Sequence, residues 1–303
     1  EFKELVNFNK NLSLPRHRWF KIKEGYSSEI VEYFIHKNKL GENNLILDPF
    51  SGSGTTVLAA KEKNIPSLGF EINPFLHFVS ETKLINSQPL DPDKVIKEIK
   101  SINSKLIEPK LSISRKLFKK QLNKVLRTRK YISNLSNKKD SRLIKLAYLT
   151  SLEDASFAKK DGNGLKYPKN KIPKDFYSLL KQNIEIINND LRESKLNKSS
   201  SKIFLGNTLK LSENKNFQKK YKNKIDLIIF SPPYLNCFDY TEVYKTELWF
   251  GDFVTDYDQL KTIRNESMSS HLNKNFSKKT NTITILNKYL KRIDIEKLWS
   301  NKI

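Results

Sequence analysis

Leu45-Ile46-Leu47-Asp48-Pro49-Phe50-Ser51-Gly52-Ser53-Gly54-Thr55-Thr56-Val57-Leu58-Ala59-Ala60-Lys61 is the stretch that decides the fold. Residues 45–47 read as a short buried strand, and residues from Val57 onward as the opening of a helix. Strand, glycine-bearing turn and helix amino terminus form the layout in which a nucleotide-like ligand meets a doubly wound sheet. Gly52 and Gly54 let the backbone pass close to a ligand. The free amides at the helix start favour an anionic or carboxylate group. The turn is not the dinucleotide fingerprint, because the third glycine is missing at the required offset, and no Gly-Lys-Ser/Thr of a P-loop follows.

Two further stretches extend this reading. Ser67-Leu68-Gly69-Phe70-Glu71 is a short strand ending in a carboxylate, the place where ribose hydroxyls are bound in such folds. Taken alone, Glu71 reads as a solvated strand end. Ile225-Asp226-Leu227-Ile228-Ile229-Phe230 reads as another buried strand and runs into Ser231-Pro232-Pro233-Tyr234. The two prolines fix their own φ, and the first restricts the serine before it. The resulting stiff bend holds a hydroxyl, a carbonyl and a ring in fixed relative positions, which suits a site that grips a flat, amine-bearing ring.

Together these motifs resemble the S-adenosylmethionine-dependent DNA amino-methyltransferases. Ser-Pro-Pro-Tyr is similar to the variant of enzymes acting on the exocyclic amine of cytosine; adenine-specific relatives usually carry Asp or Asn in place of Ser231. Arg18-Trp19-Phe20-Lys21-Ile22-Lys23-Glu24-Gly25-Tyr26-Ser27 resembles the family's amino-terminal segment, which closes over the cofactor's methionine end. Phe204-Leu205-Gly206-Asn207 resembles the third-strand segment that reads the adenine. Phe238-Asp239-Tyr240-Thr241-Glu242 and Ser269-Ser270-His271 match one bacterial branch. The resemblance covers about residues 16–272.

It implies a Rossmann-like α/β fold of the class I methyltransferase type. It implies S-adenosyl-L-methionine held by Tyr26, Ser27, Asp48, Pro49, Phe50, Ser51, Gly52, Gly54, Thr55, Glu71 and Asn207. The catalytic residues are then Ser231, Pro232, Pro233 and Tyr234. The cytosine amine is a poor nucleophile because its lone pair is delocalised into the ring. Ser231 Oγ and the Pro232 carbonyl are expected to accept its two hydrogens, and Tyr234 to stack on the flipped base. Alternatives are an adenine-N6 DNA or RNA amino-methyltransferase and a non-catalytic DNA-binding fragment of a methylase.

Cys237 follows Asn236, whereas methylation at carbon 5 uses a cysteine directly after proline in its own family. One cysteine allows no internal disulfide and agrees with a reducing cytoplasm. Four scattered histidines, His17, His36, His77 and His271, give no zinc spacing, so no metal is expected. His17, between two arginines, reads as a solvated loop position. No apolar run approaches a membrane span.

The formal charge of +23 suggests a polyanionic partner, double-stranded DNA on this reading. About 47 lysines against about 9 arginines also reflect a compositional bias, which weakens that inference. The excess is concentrated in residues 91–200, with about 27 basic against 12 acidic side chains. This segment is expected to be a helical insertion with helices near 114–133, 140–158 and 174–192. Asp91-Pro92 reads as a helix start, and Val95, Ile99, Ile102 and Leu106 as its apolar stripe. Arg127, Arg129, Lys159 and Lys160 are its candidate DNA contacts. The expected division is residues 1–90 for the cofactor, 91–200 for target recognition and 201–303 for catalysis. Strands are expected near 45–48, 67–70, 202–205 and 225–230, about four of the family's seven. Helices are expected near 240–250, 256–265 and 282–299. The later strands have no candidate segment, so the chain reads as truncated, or as completed by a second polypeptide.

Overall fold

The computed structural model describes residues 5–162, 164–231 and 239–267, all within the unit Glu1–His271. Pro232, Pro233, Tyr234, Cys237, Ser269, Ser270, His271 and the helix expected near 282–299 lie outside the described residues. The strands are β1 (Ile46–Asp48), β2 (Ser67–Glu71), β3 (Lys159–Asp161), β4 (Gly164–Lys166), β5 (Ser201–Leu205) and β6 (Leu227–Ile228). β5, β2, β1 and β6 lie side by side in that order, all parallel. β3 and β4 form a separate antiparallel hairpin. The expected Rossmann-like α/β class is borne out, with four parallel strands flanked by helices.

The helices before the insertion are α1 (Ser28–Lys37), α2 (Thr55–Glu62) and α3 (Pro74–Lys83). Those within it are α4 (Pro92–Lys100), α5 (Ser114–Phe118), α6 (Leu122–Asn134), α7 (Lys138–Ala155) and α8 (Phe176–Glu193). α9 (Lys215–Tyr221), α10 (Tyr240–Val243), α11 (Lys245–Phe250) and α12 (Tyr257–Glu266) follow. Successive strand residues point to opposite faces. Ile46 therefore joins a core with Val31, Ile35, Ala59 and Ile65, while Leu47 joins Leu68, Phe70 and Phe217 on the other face. Covering both faces is what a parallel sheet requires.

The segment 225–230 departs from the expectation of a buried strand. Its ladder holds only Leu227 and Ile228. Ile229 is buried among the α1 and α2 side chains, but Ile228 and Phe230 are about half exposed. The reason is position: β6 is an edge among the described strands, so no described strand flanks it on the side away from β1.

The insertion is helical as expected, and Asp91 caps α4 by accepting from the Asp93 and Lys94 amides at 3.0 Å. Its stripe is shorter than the periodicity suggests. Val95 and Ile99 are buried on α4, whereas Ile102 and Leu106 pack from the loop beyond it. The insertion shares one core with the flanking segments, in which Phe20, Phe75, Tyr148, Phe176 and Trp249 all take part. Asp190 on α8 fastens the amino-terminal segment to it, accepting from the Arg16 amide at 2.7 Å and Trp19 Nε1 at 2.8 Å and pairing with Arg18. The Arg16 guanidinium reaches the carbonyls of Lys83, Ile85 and Ser194. His17 is buried 3.5 Å from Glu62, not solvated, and burial lowers its pKa.

Candidate active site

Chain order and spatial order part company between β1 and β6. The chain passes β1, β2 and β5 on one side, then crosses to pair β6 with β1. Ligands of such sheets bind at the carboxyl ends of the strands beside that switch. The loop leaving β1 is shaped by its glycines. Gly52 has φ +51° and Gly54 φ +83°, values that side-chain-bearing residues rarely adopt. At Gly54 space excludes a side chain as well, since a Cβ would stand 2.8 Å from Ser80 Cβ and 3.2 Å from its Cα; at Gly52 the tip of Ile22 would have to move. α2 starts directly after Gly54.

Glu71, at the end of β2, binds two loops together. Its Oε2 accepts from the Gly52 amide at 2.8 Å, and its Oε1 from the Asn73 amide at 2.8 Å. Burial pushes its pKa up to about 7, against the opposing pull of those amides. Asp48 lies fully buried behind the loop, accepting from the Phe50 amide at 3.0 Å and the Tyr26 hydroxyl at 2.9 Å. Burial raises its pKa to about 6. Tyr26 also meets Thr56 at 2.5 Å, and burial raises its phenol well above the usual range. The amino-terminal segment is thereby clamped onto the β1–α2 turn.

One pocket gathers most of the residues singled out from the sequence. Pro49, Phe50, Ser51, Gly52 and Thr55 line it from the first loop, Glu71 from β2, and Tyr26 from the amino-terminal segment. Asn207 enters after β5 and Ser231 after β6. Asp48, Gly54 and Ser27 are not in the wall; Ser27 caps α1 by accepting from the Glu29 amide at 3.2 Å. Pro232, Pro233 and Tyr234 fall outside the described residues.

Several wall residues were not singled out as site residues. Asp239 and Thr241 line the pocket, and the Phe238–Glu242 pattern was their only sequence signal. Asp239 caps α10 and pairs with Arg264 Nε at 2.8 Å. Thr208, next to Asn207 after β5, also lines it, and so do Glu266 and Ser267, which had no sequence signal because α12 reaches the pocket by tertiary packing. Asn207 Nδ2 donates to the Glu266 carbonyl at 2.8 Å, which ties that helix end to the β5 loop.

The charge of the pocket is distinctive. Among the described residues its wall holds Glu24, Glu71, Asp239 and Glu266, but no lysine or arginine. A pyrophosphate would find no cation there. A ligand bearing positive charge, ribose hydroxyls and a flat ring would find carboxylates and the apolar sides of Ile22, Phe50, Phe70 and Leu76. No cluster of His, Cys, Asp or Glu suited to a metal ion occurs among the described residues.

The candidate DNA contacts are scattered. Arg127 donates to the Lys100 and Ile102 carbonyls. Arg129 pairs with Asp252 and donates to the Ile107 carbonyl. Lys160 is buried between Glu247 and Glu153 and presents no face to solvent. Lys159 alone of the four is exposed without an intramolecular ion pair among those described. No helix among the described residues is long and apolar enough to cross a membrane.

Residues 21–81 match the DNA methylase family. The Type II methyltransferase M.BsoBI of Geobacillus stearothermophilus is 31% identical over 299 residues, covering 88% of this chain and 58% of that protein. The Type II methyltransferase M.AvaI of Nostoc sp. (strain PCC 7120) is 26% identical over 274 residues, covering 81% of this chain and 56% of its own length. The chain thus spans little more than half the length of these relatives. No solved structure matches it.

Proposed function

From the premise that this chain is related to the DNA amino-methyltransferases, we propose that it transfers a methyl group from S-adenosyl-L-methionine to the N4 amine of a flipped cytosine in duplex DNA, as the modification half of a restriction-modification system. The observation that carries this reading is the joining of Ser231 to a pocket rich in carboxylates and, among the described residues, without a lining lysine or arginine, walled by Gly52, Glu71 and Asn207. S-adenosyl-L-methionine supplies an electrophilic methyl on a positively charged sulfur.

In this reading the Glu71 carboxylate holds the ribose hydroxyls, and the Gly52 loop lets the backbone approach. Asn207 faces the adenine, and Tyr26 with Gly25 closes the methionine end. Ser231 Oγ and the Pro232 carbonyl accept the two amine hydrogens, which localises the nitrogen lone pair toward the methyl. Tyr234 stacks on the base after it leaves the helix, a step that costs a few kcal/mol. Serine at position 231, where adenine-specific enzymes usually carry Asp or Asn, favours cytosine.

The deciding experiment incubates the protein with labelled S-adenosyl-L-methionine and duplex DNA, then identifies the modified base by mass spectrometry. N4-methylcytosine is the expected product. N6-methyladenine would overturn the choice of base, and failure to bind S-adenosyl-L-methionine would leave a DNA-binding fragment instead.

Glu71 also sets a pH dependence. Its carboxyl has a pKa near 7, and only the ionised form accepts two ribose hydroxyls. Cofactor affinity is therefore expected to be level above about pH 7 and to fall by up to tenfold per unit below it, because protonation must be reversed on binding. Glu71→Gln should bind more weakly with a flat profile. Calorimetric titration between pH 5.5 and 8.5 checks this, and an unchanged slope in Glu71→Gln would assign the proton elsewhere.

A further inference from the structure

The hairpin β3–β4 is an element of the insertion that meets the catalytic half beside the pocket. Gly164 faces α10, where an added Cβ would stand 3.6 Å from Glu242 Cβ. α10 carries the pocket residues Tyr240 and Thr241. Asp161 lies within electrostatic reach of Lys23, whose neighbours Ile22 and Glu24 also line the pocket. The hairpin therefore sits beside the site.

Its two faces differ sharply. Lys160 points inward, buried, and pairs with Glu247 on α11 and Glu153 on α7. The Lys160 amide donates to Glu153 Oε1 at 2.9 Å. Phe20 and Tyr244 stand 5.3 and 5.1 Å from its ammonium. This anchor fixes the hairpin to α7 and α11 and packs it against Phe20 and Tyr244. Outward, Lys159 and Lys166 are directly opposed in the ladder, and both are exposed. Like charges in that relation repel, and Asp161, paired with Lys166, offsets them in part. Two more exposed lysines stand at the hairpin's base. Lys119 lies 4.0 Å from the Phe157 ring, and Lys116 lies 4.2 Å from the Tyr167 ring. Stacking on those rings limits where the ammonium groups can go.

Building on the proposed DNA methylation, we infer that the outward face of this hairpin grips the phosphate backbone of the duplex next to the flipped base. Lys159 and Lys166 are its central contacts, and Lys116 and Lys119 extend the track. A polyanion neutralises the opposed lysines, so binding relieves a repulsion that the free protein carries. The inward anchor keeps the track in register with the pocket.

The test compares the full chain with Lys159→Gln/Lys166→Gln and with a control, Lys215→Gln/Lys219→Gln, on the exposed side of α9. Binding to a DNA duplex is titrated across salt concentration. Each lost phosphate contact lowers the slope of log affinity against log salt by about 0.9, so the hairpin variant should lose about 2 and bind at least tenfold more weakly near physiological salt. The control should keep the wild-type slope, and S-adenosyl-L-methionine affinity should be unchanged in both. Equal slopes for hairpin variant and wild type, or an equal loss in the control, would overturn the hairpin assignment while leaving the methylase reading intact. A wild-type protein that binds no duplex would overturn both.

Discussion

Replacing Ser231 with alanine should lower the rate of methyl transfer by about 100-fold or more while leaving S-adenosyl-L-methionine affinity within about twofold of wild type; removal of one aimed group from a preorganised site typically costs about 2.7–4 kcal/mol. The two effects separate because Ser231 reaches the pocket after β6, whereas the proposed ribose contact, Glu71, comes from β2. The serine acts on the amine as positive charge develops there, so its loss is felt in the transition state more than in the ground state. Single-turnover methylation with saturating cofactor and DNA isolates that step. Calorimetry on the same protein reports whether the pocket survives. A normal rate in Ser231→Ala would remove this residue from the mechanism, and a parallel loss of cofactor affinity would make it a wall residue only.

Lys160→Ala should destabilise the fold by about 3–5 kcal/mol, the usual cost of removing one partner from a buried ion pair. Burial opposes charge on both groups. For Lys160 the attraction of Glu247 and Glu153 outweighs it and holds the ammonium charged, whereas burial pushes the Glu247 carboxyl upward despite Lys160. Without Lys160, Glu247 is a buried carboxylate with no cation beside it. Lys160→Met/Glu247→Leu should recover most of the loss, because two apolar groups of similar size replace the pair with no stranded charge. The single variant's deficit should also narrow as pH falls. A carboxyl whose folded pKa lies above its unfolded value gains stability on protonation, through the interval between the two. Urea unfolding of both variants at two pH values measures this. Equal stability of Lys160→Ala and wild type would mean that the pair contributes nothing net.

The sheet and most of the pocket were legible in the sequence because they depend on short local rules. An apolar triplet, two glycines and a helix start place Gly52 and Gly54 without reference to distant residues. A carboxylate closing the next strand places Glu71. Asp91 and Pro92 mark the start of α4 in the same local way. Burial of polar groups was not legible. Lys159 and Lys160 are identical letters side by side, yet one is exposed and the other is buried against Glu247. Strand alternation says that they face opposite ways, but not which way is inward. His17 read as a solvated loop position, yet it is buried against Glu62, in a segment that Asp190 on α8 fastens down. Glu266 and Ser267 reach the pocket only because α12 folds back across the β5 loop.

The sequence by itself therefore determined the parallel sheet and the order of its signatures, since each rests on backbone conformation and residue type within a few positions. Tertiary structure alone decided which lysines stay in solvent and which become anchors. It also decided that, among the described residues, the pocket wall carries four carboxylates and no lysine or arginine, and that a small hairpin of the insertion stands beside it. Those outcomes depend on what packs against a side chain, and desolvation and pairing act between residues far apart in the chain.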